Sequence, residues 1–429
     1  MPAGGLACFC HVPVIQIIYC VNLLVPWARK WLDSLMTRNL FTVLRITVIP
    51  ILLALIVIIE KRQSWEWFRL LTATLTFFIV ADIVSLVCGK ARDFLLVLAS
   101  LNFGICIIEA VAIWQYREST AFLPMGLSDL RPIIGWGPQH PGRYHVEKID
   151  RSTGATIYSV DYTIASTLLR QTQSCDTGPT IVFLGCSFTF GEGLNDADTL
   201  PQAFADSLGR KTRVLNLGFS GYGPQQWLSE LQSGLFDSVI GPQRSLFVLL
   251  TGPEHVERTA CKPYWMRHAP RYTFENDRPV LKGECRQGVS LWLEEWLNHW
   301  VAYRWLIEPY RHVVSPDDVE LYIRIMLAAV KVAKEKYGVP AIVLYDHELQ
   351  LPKNDLRTIG FSDDDIIERL KDGGAIVIDV SLDKEEATGA PIRIPGDGHP
   401  SPLANRTRAA ILKNYLEQNM SSILVSLNN

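Results

Sequence analysis

Residues 181–196 read IVFLGCSFTFGEGLND, and the fold follows from how this stretch turns. The apolar run Thr180–Leu184 predicts a buried strand that ends at Leu184. Gly185 lets the chain turn tightly, and Ser187 follows at once. Gly191 and Gly193 keep the next loop thin. A serine just past a strand end points its hydroxyl into a cleft, and its backbone N–H is free to donate to an oxyanion. A serine hydroxyl is a weak nucleophile alone, so the pattern asks for a base nearby in space.

Downstream, apolar runs alternate with helical patterns. Strands are expected at Arg213–Leu217, Ser245–Leu250, Ala341–Tyr345 and Ala375–Val380. Helices are expected at Leu200–Leu208, Gln225–Leu235, Asp318–Tyr337 and Leu403–Asn419. This alternation predicts an α/β fold with a mostly parallel sheet covered on both faces. Sites in such sheets form at the carboxyl ends of the strands. Upstream, Tyr144–Asp150 and Thr156–Ile164 flank the turn-like RSTG and predict a β-hairpin. The Pro- and Gly-rich residues 117–142 read as a linker or extended lead-in.

A candidate base lies in PGDGHPSPLANR, residues 395–406. His399 sits in a loop before the last helix. Asp397, two residues earlier, is placed to orient the imidazole and stabilise its charged form.

Together these residues resemble the SGNH hydrolase superfamily, also called the GDSL esterase/lipase family. Gly185-Cys186-Ser187-Phe188-Thr189-Phe190-Gly191 stands where the family has Gly-Asp-Ser-x-x-x-Gly. The resemblance implies Ser187 as nucleophile and Asp397 and His399 as the acid and histidine. It implies Gly221, in VLNLGFSGYG (214–223), as an oxyanion-hole N–H donor beside that of Ser187. It spans residues 176–420 and implies a flavodoxin-like three-layer α/β/α domain that uses no metal or organic cofactor.

Three departures stand out. Cys186 replaces the Asp of the first block. The Asp–His spacing is two residues instead of three. In the third block, Glu254 and His255 of LLTGPEHVERT (249–259) occupy the Asn-Asp positions. A carboxylate cannot stabilise an oxyanion, so two readings of His255 stand: a substitute oxyanion donor, or a structural partner of Arg258.

The N-terminal quarter is the most apolar. Four runs, Leu6–Trp27, Phe41–Ile59, Phe68–Cys88 and Phe94–Trp114, approach the ~20 residues a helix needs to cross a bilayer. Leu6–Trp27 is broken by His11, Pro13, Gln16, Asn22 and Pro26, and reads equally as an amphipathic segment. Expected units are a membrane domain at 1–116 with three or four transmembrane helices, a lead-in at 117–175, and a catalytic domain at 176–429. An insert is expected over 257–312. Arg29, Lys30, Arg38, Lys90 and Arg92 fall on one side of the spans, which places the catalytic domain outside the cell membrane. Lys61, Arg62 and Arg69 argue the other way. Arg45, Asp82 and Glu109 read as ion pairing that locks the bundle, with a polar pathway as the alternative.

The insert carries a hairpin at Arg271–Lys282, turning at Asn276 and Asp277. Trp292, Trp296, Trp300 and Trp305 follow and are expected to pack the insert's own core, with a lid or substrate platform beside the site as the alternative. Cys261 and Cys285 flank the stretch, as a disulfide or as two thiols. Among the nine cysteines, no pair or His cluster has zinc spacing. A formal net charge of -3 gives no basis for a nucleic-acid partner. The expected partners are therefore the bilayer and an ester substrate. The expected function is a membrane-anchored serine esterase removing acetyl or other acyl groups from a surface glycan or lipid-linked saccharide. An O-acyltransferase with the same triad and a non-catalytic glycan-binding module are the alternatives.

Overall fold

Strands that carry apolar side chains on both faces need cover on both. The computed structural model describes residues 74–81, 84, 89–116, 120–122, 126–150, 153–347, 356–421 and 423. Its central strands are β1 (Thr180–Leu184), β2 (Arg213–Asn216), β3 (Arg244–Thr251), β4 (Ala341–Tyr345) and β5 (Ile376–Asp379). They run parallel in the order β2-β1-β3-β4-β5. This is the flavodoxin-like order, with its switch point between β1 and β3. Each strand matches its sequence expectation to within one residue at either end.

The helices that frame the site are α1 (Ser187–Phe190), α2 (Leu200–Ser207), α3 (Pro224–Ser233), α4 (Glu254–Thr259), α5 (Pro316–Tyr337), α6 (Asp363–Asp372) and α7 (Pro402–Asn419). Successive side chains of a strand point to opposite faces. Ile181 and Phe183 of β1 pack with Phe204 of α2 and Leu412 and Leu416 of α7. Val182 and Leu184 belong to the opposite layer, with Trp227 of α3, Tyr322 of α5 and Ile366 of α6. The result is a three-layer α/β/α core.

The hairpin upstream of β1 forms from Gly142–Ile149 and Thr156–Ile164, paired antiparallel, with Thr120–Phe122 on its outer edge. The described part of the stretch expected as a linker or extended lead-in is packed on the main domain. Asp129–Arg131 and Gly135–Gly137 pair as short antiparallel strands. Gln226 Nε2 and Ser229 Oγ of α3 donate to the carbonyls of Ile134 and Ile133 at 3.2 and 3.1 Å. Those bonds satisfy backbone acceptors that a free linker would leave to water.

In the insert, Pro270–Glu275 and Arg278–Glu284 form the expected hairpin. Asn276 and Asp277 both have positive φ, as a type I′ turn requires. Cys261 and Cys285 are disulfide-bonded, with Cα atoms 5.5 Å apart. The expectation that the tryptophans fill the insert's core is corrected for Trp292 and Trp296, while Trp300 and Trp305 are half-buried. On the helix Gly288–Asn298, Trp292 and Trp296 are 64% and 49% exposed. The buried position there belongs to Glu294, which pairs with Arg286 and Arg311.

The chain divides into two units, Met1–Ala112 and Ile113–Asn429. In the first, residues 74–81 of the third apolar run are helical, and Asn102 Nδ2 donates to Thr74 Oγ1 at 2.6 Å. The helix Gly89–Gln115 begins in this unit. Its segment Asp93–Gln115, 23 residues with mean hydropathy 2.3, is long and apolar enough to cross a bilayer. Glu109 is buried on it. The runs Leu6–Trp27 and Phe41–Ile59, most of Phe68–Cys88, and Arg45 and Asp82 lie outside the described residues.

Candidate active site

The serine turn is shaped by close packing. A Cβ at Gly185 would overlap the Thr189 side chain, and one at Gly218 would lie 2.7 Å from Thr189 Cβ. Only glycine fits at either point, so β1 passes straight into α1. Cys186 stays extended as the N-cap, and Ser187 is the first residue of α1. First-turn N–H groups have no acceptor inside their own helix. Phe219 N and Trp227 Nε1 both donate to the Gly185 carbonyl, at 3.3 and 3.2 Å, and tie the loop after β2 to this turn. Gly221 of that loop has φ +79. A Cβ there would lie 3.2 and 3.4 Å from Trp136 and Trp265. Among the described residues, neither the Ser187 nor the Gly221 N–H has a protein acceptor.

Arg170 fastens the loop that follows Ser187. Buried beneath it, this guanidinium donates to the carbonyls of Phe190, Gly191 and Leu194 and to Asp196. It also lies over the Tyr162 and Phe190 rings, 4.1 and 4.7 Å from their centroids. Several carbonyls held by one fixed fork make the loop rigid.

Across the crevice, Gly396 and Gly398 both adopt left-handed φ, +77 and +91. The N–H groups of Asp397 and Gly398 both reach the Ile394 carbonyl at 3.1 Å. This tight loop brings Asp397 Oδ2 onto His399 Nδ1 in a short hydrogen bond. Asp397 Oδ1 pairs with Lys148, from the lead-in hairpin. Burial opposes the Asp397 charge, but the bond and charge of His399, then Lys148, outweigh it and hold the acid at about 2. An ionised Asp397 only accepts, so Nδ1 carries the proton and Nε2 is left as the basic nitrogen.

The two halves meet at His399. The Phe188 ring packs edge-on against the imidazole at 5.5 Å. Glu192 Oε2 lies 3.8 Å from Nε2. Burial pulls the His399 pKa down, but Glu192 and then Asp397 outweigh it and raise it above the ordinary histidine value, against a lowering influence of Lys148. Ser187 is 6% exposed, and its hydroxyl donates weakly to Cys186 Sγ at 4.0 Å. No hydrogen bond joins Ser187 to His399 among the described residues. Such bonds often tighten only when substrate arrives.

On α4 the two third-block residues face different ways. His255 is fully buried, with Nδ1 3.0 Å from Thr251 Oγ1, which also meets the Tyr322 hydroxyl at 2.9 Å. Its ring stands edge-on to Trp227, and Nε2 is buried without a hydrogen-bond partner. Burial, then the charge of Arg258, holds this histidine well below its ordinary pKa, hence neutral. These are the contacts of a core residue. Glu254 pairs with Arg258 one helical turn on.

Sequence reading missed Lys148, Glu192, Arg170, Trp136 and Trp265. Glu192 sits inside the serine motif, and its carboxylate beside two glycines was the one local signal. Among the described residues, no group of three or more His, Cys, Asp or Glu side chains is arranged to hold a metal ion.

No protein-family profile matches the chain, and no curated protein matches it. Solved structures do. The chain is similar to a protein from Desulfitobacterium hafniense assigned to the G-D-S-L family of lipolytic proteins, at 14% identity and TM-score 0.30, over 55% of this chain and 98% of that one. It is also similar to the psychrotrophic esterase EstA from Pseudoalteromonas sp., whose structure was solved inhibited by monoethylphosphonate. Identity there is 13% and the TM-score 0.32, over 56% of this chain and 98% of that one. Likeness at this level carries no functional argument by itself.

Proposed function

We propose that the chain is a serine esterase that cleaves acyl esters with Ser187 as nucleophile, His399 as base and Asp397 as its orienting acid. The observation that carries this reading is the Asp397–His399 pair set against the serine segment, with Phe188 of α1 on the imidazole and Glu192 of the following loop near Nε2, together with the acceptor-free N–H groups of Ser187 and Gly221. His399 Nε2 takes the Ser187 proton as Oγ bonds to the ester carbonyl carbon. The carbonyl electron pair moves onto oxygen, facing the N–H groups of Ser187 and Gly221. The C–O bond to the alcohol then breaks, and the proton passes from His399 to the leaving oxygen. Water repeats the sequence on the acyl-enzyme and frees the acid.

Substrate and place follow by chemistry. The apolar helix Asp93–Gln115 supports an anchor in the cell membrane. The Cys261–Cys285 disulfide supports a domain on the oxidising, extracytoplasmic side. Trp136 and Trp265 border Gly221, and Trp265 is 40% exposed; an indole surface there suits the ring of an acylated surface glycan or lipid-linked saccharide.

The test is hydrolysis of acetylated saccharides and of p-nitrophenyl acetate by the purified full chain and by Ser187→Ala. The serine-esterase reading expects a loss of at least about 1000-fold in the variant. Equal rates in both proteins overturn it.

A further inference from the structure

The third block lacks the side-chain amide of the family it resembles, and Glu254 stands in its place. A carboxylate alone would repel a developing oxyanion. Its partner changes that balance. Arg258 is sealed in, with a side chain 6% exposed, while that of Glu254 is 23% exposed. Water screens the more open carboxylate better than the buried guanidinium, and buried charges act over longer range.

The guanidinium is held beside the oxyanion loop. Arg258 NH1 donates at 2.8 Å to the carbonyl of Tyr222, the residue after Gly221. A Cβ at Gly223 would lie 3.0 Å from Arg258 Cβ. Gln225 Nε2 donates to the Arg258 carbonyl at 2.7 Å and fixes that end of α4. Arg258 Nε is buried and has no hydrogen-bond partner. Cys186, the residue before Ser187, feels the Arg258 charge more than the opposing Glu254 charge, and the buried Glu257 carboxylate also lies within electrostatic reach of Arg258. An arginine stays charged at any working pH.

Resting on the esterase reading above, we propose that Arg258 supplies the third, positively charged element of the oxyanion site, seated by the Tyr222 carbonyl and Gly223 and opposed by the Glu254 charge. Negative charge appears on the substrate oxygen as the Ser187 Oγ–C bond forms, and it disappears when that bond or the leaving C–O bond breaks. A fixed buried cation beside the Gly221 loop stabilises that interval more than the neutral ground state. His255 keeps its core contacts and takes no part.

The experiment is p-nitrophenyl acetate hydrolysis by the full chain in detergent, with Arg258→Gln, Arg258→Lys, Glu254→Gln and Ser187→Ala. Arg258→Gln is expected to lower kcat about 100-fold with KM changed less than about twofold. Arg258→Lys, which keeps the charge, recovers at least about tenfold of that loss. Glu254→Gln keeps the cation and removes the opposing carboxylate, so its kcat equals or exceeds that of the wild type. If Arg258→Gln melts lower yet keeps wild-type kcat, the arginine is a structural staple and the proposal falls. If that variant does not fold, Glu254→Gln and Arg258→Lys decide. Folded protein with kcat down about tenfold or more in Glu254→Gln, or with no activity left in Arg258→Lys, overturns it. Wild-type hydrolysis that survives Ser187→Ala sinks the esterase reading itself. Ser187-dependent hydrolysis indifferent to Arg258 sinks this proposal alone.

Discussion

Lys148 and Asp397 form an ion pair across 249 residues of sequence, joining the lead-in hairpin to the histidine loop. Each oxygen of the buried carboxylate then has its own cationic or N–H partner, His399 on one and Lys148 on the other. The hairpin thereby takes part in setting the charge state of the site.

Lys148→Met should move the acid limb of the kcat/KM pH profile upward. Lys148 lowers the His399 pKa, so its loss lets that pKa climb further above the ordinary value. The free base then persists only at higher pH. Asp397 loses one of the partners that hold it at about 2, and its pKa rises as well. A pH–rate profile reads this directly. A limb that stays in place, or moves to lower pH, counts against the coupling.

Glu192→Gln should do the reverse. Glu192 is the strongest influence raising His399. Removing its charge lowers the His399 pKa, so the enzyme keeps its base to lower pH. The same profile should show the acid limb displaced downward, with the melting temperature little changed. A shift to higher pH would contradict the geometry at Nε2.

The central framework was legible because its signals are local. A β-branched run ending in Gly-x-Ser identifies β1 and its turn from adjacent residues. Asp397 and His399 are two residues apart, so their hydrogen bond was readable as spacing. Lys148 was invisible because nothing in the alternation of its strand names an acid so far along the chain. Trp136 was hidden by Pro- and Gly-rich surroundings that resemble a linker, although α3 side chains bond that backbone. The spacing of Trp292 and Trp296 marked one helix face, but only the Glu294 ion pairs decide which face turns inward. Arg258 was expected as a structural partner of His255, whereas its ion pair is with Glu254. The burial of Arg258 comes from the Gly221–Gly223 loop lying against it, which is tertiary packing.

The Cys261–Cys285 bond should support the insert more than the chemistry. It joins positions 24 apart in sequence. A loop of that size is worth about 3 kcal/mol through the unfolded chain. The double variant Cys261→Ser/Cys285→Ser should melt lower, by several degrees, and keep Ser187-dependent hydrolysis at low temperature. An unchanged melting temperature would show that the bond does not form in the protein as expressed.

The most direct test is covalent. The purified full chain is treated with a fluorophosphonate, digested and mapped by mass spectrometry. The expected result is one adduct, on the Ser187 peptide, absent from Ser187→Ala and slowed in Asp397→Asn. An adduct on another serine or on Cys186, or no adduct from protein that still hydrolyses esters, would contradict Ser187 as the nucleophile.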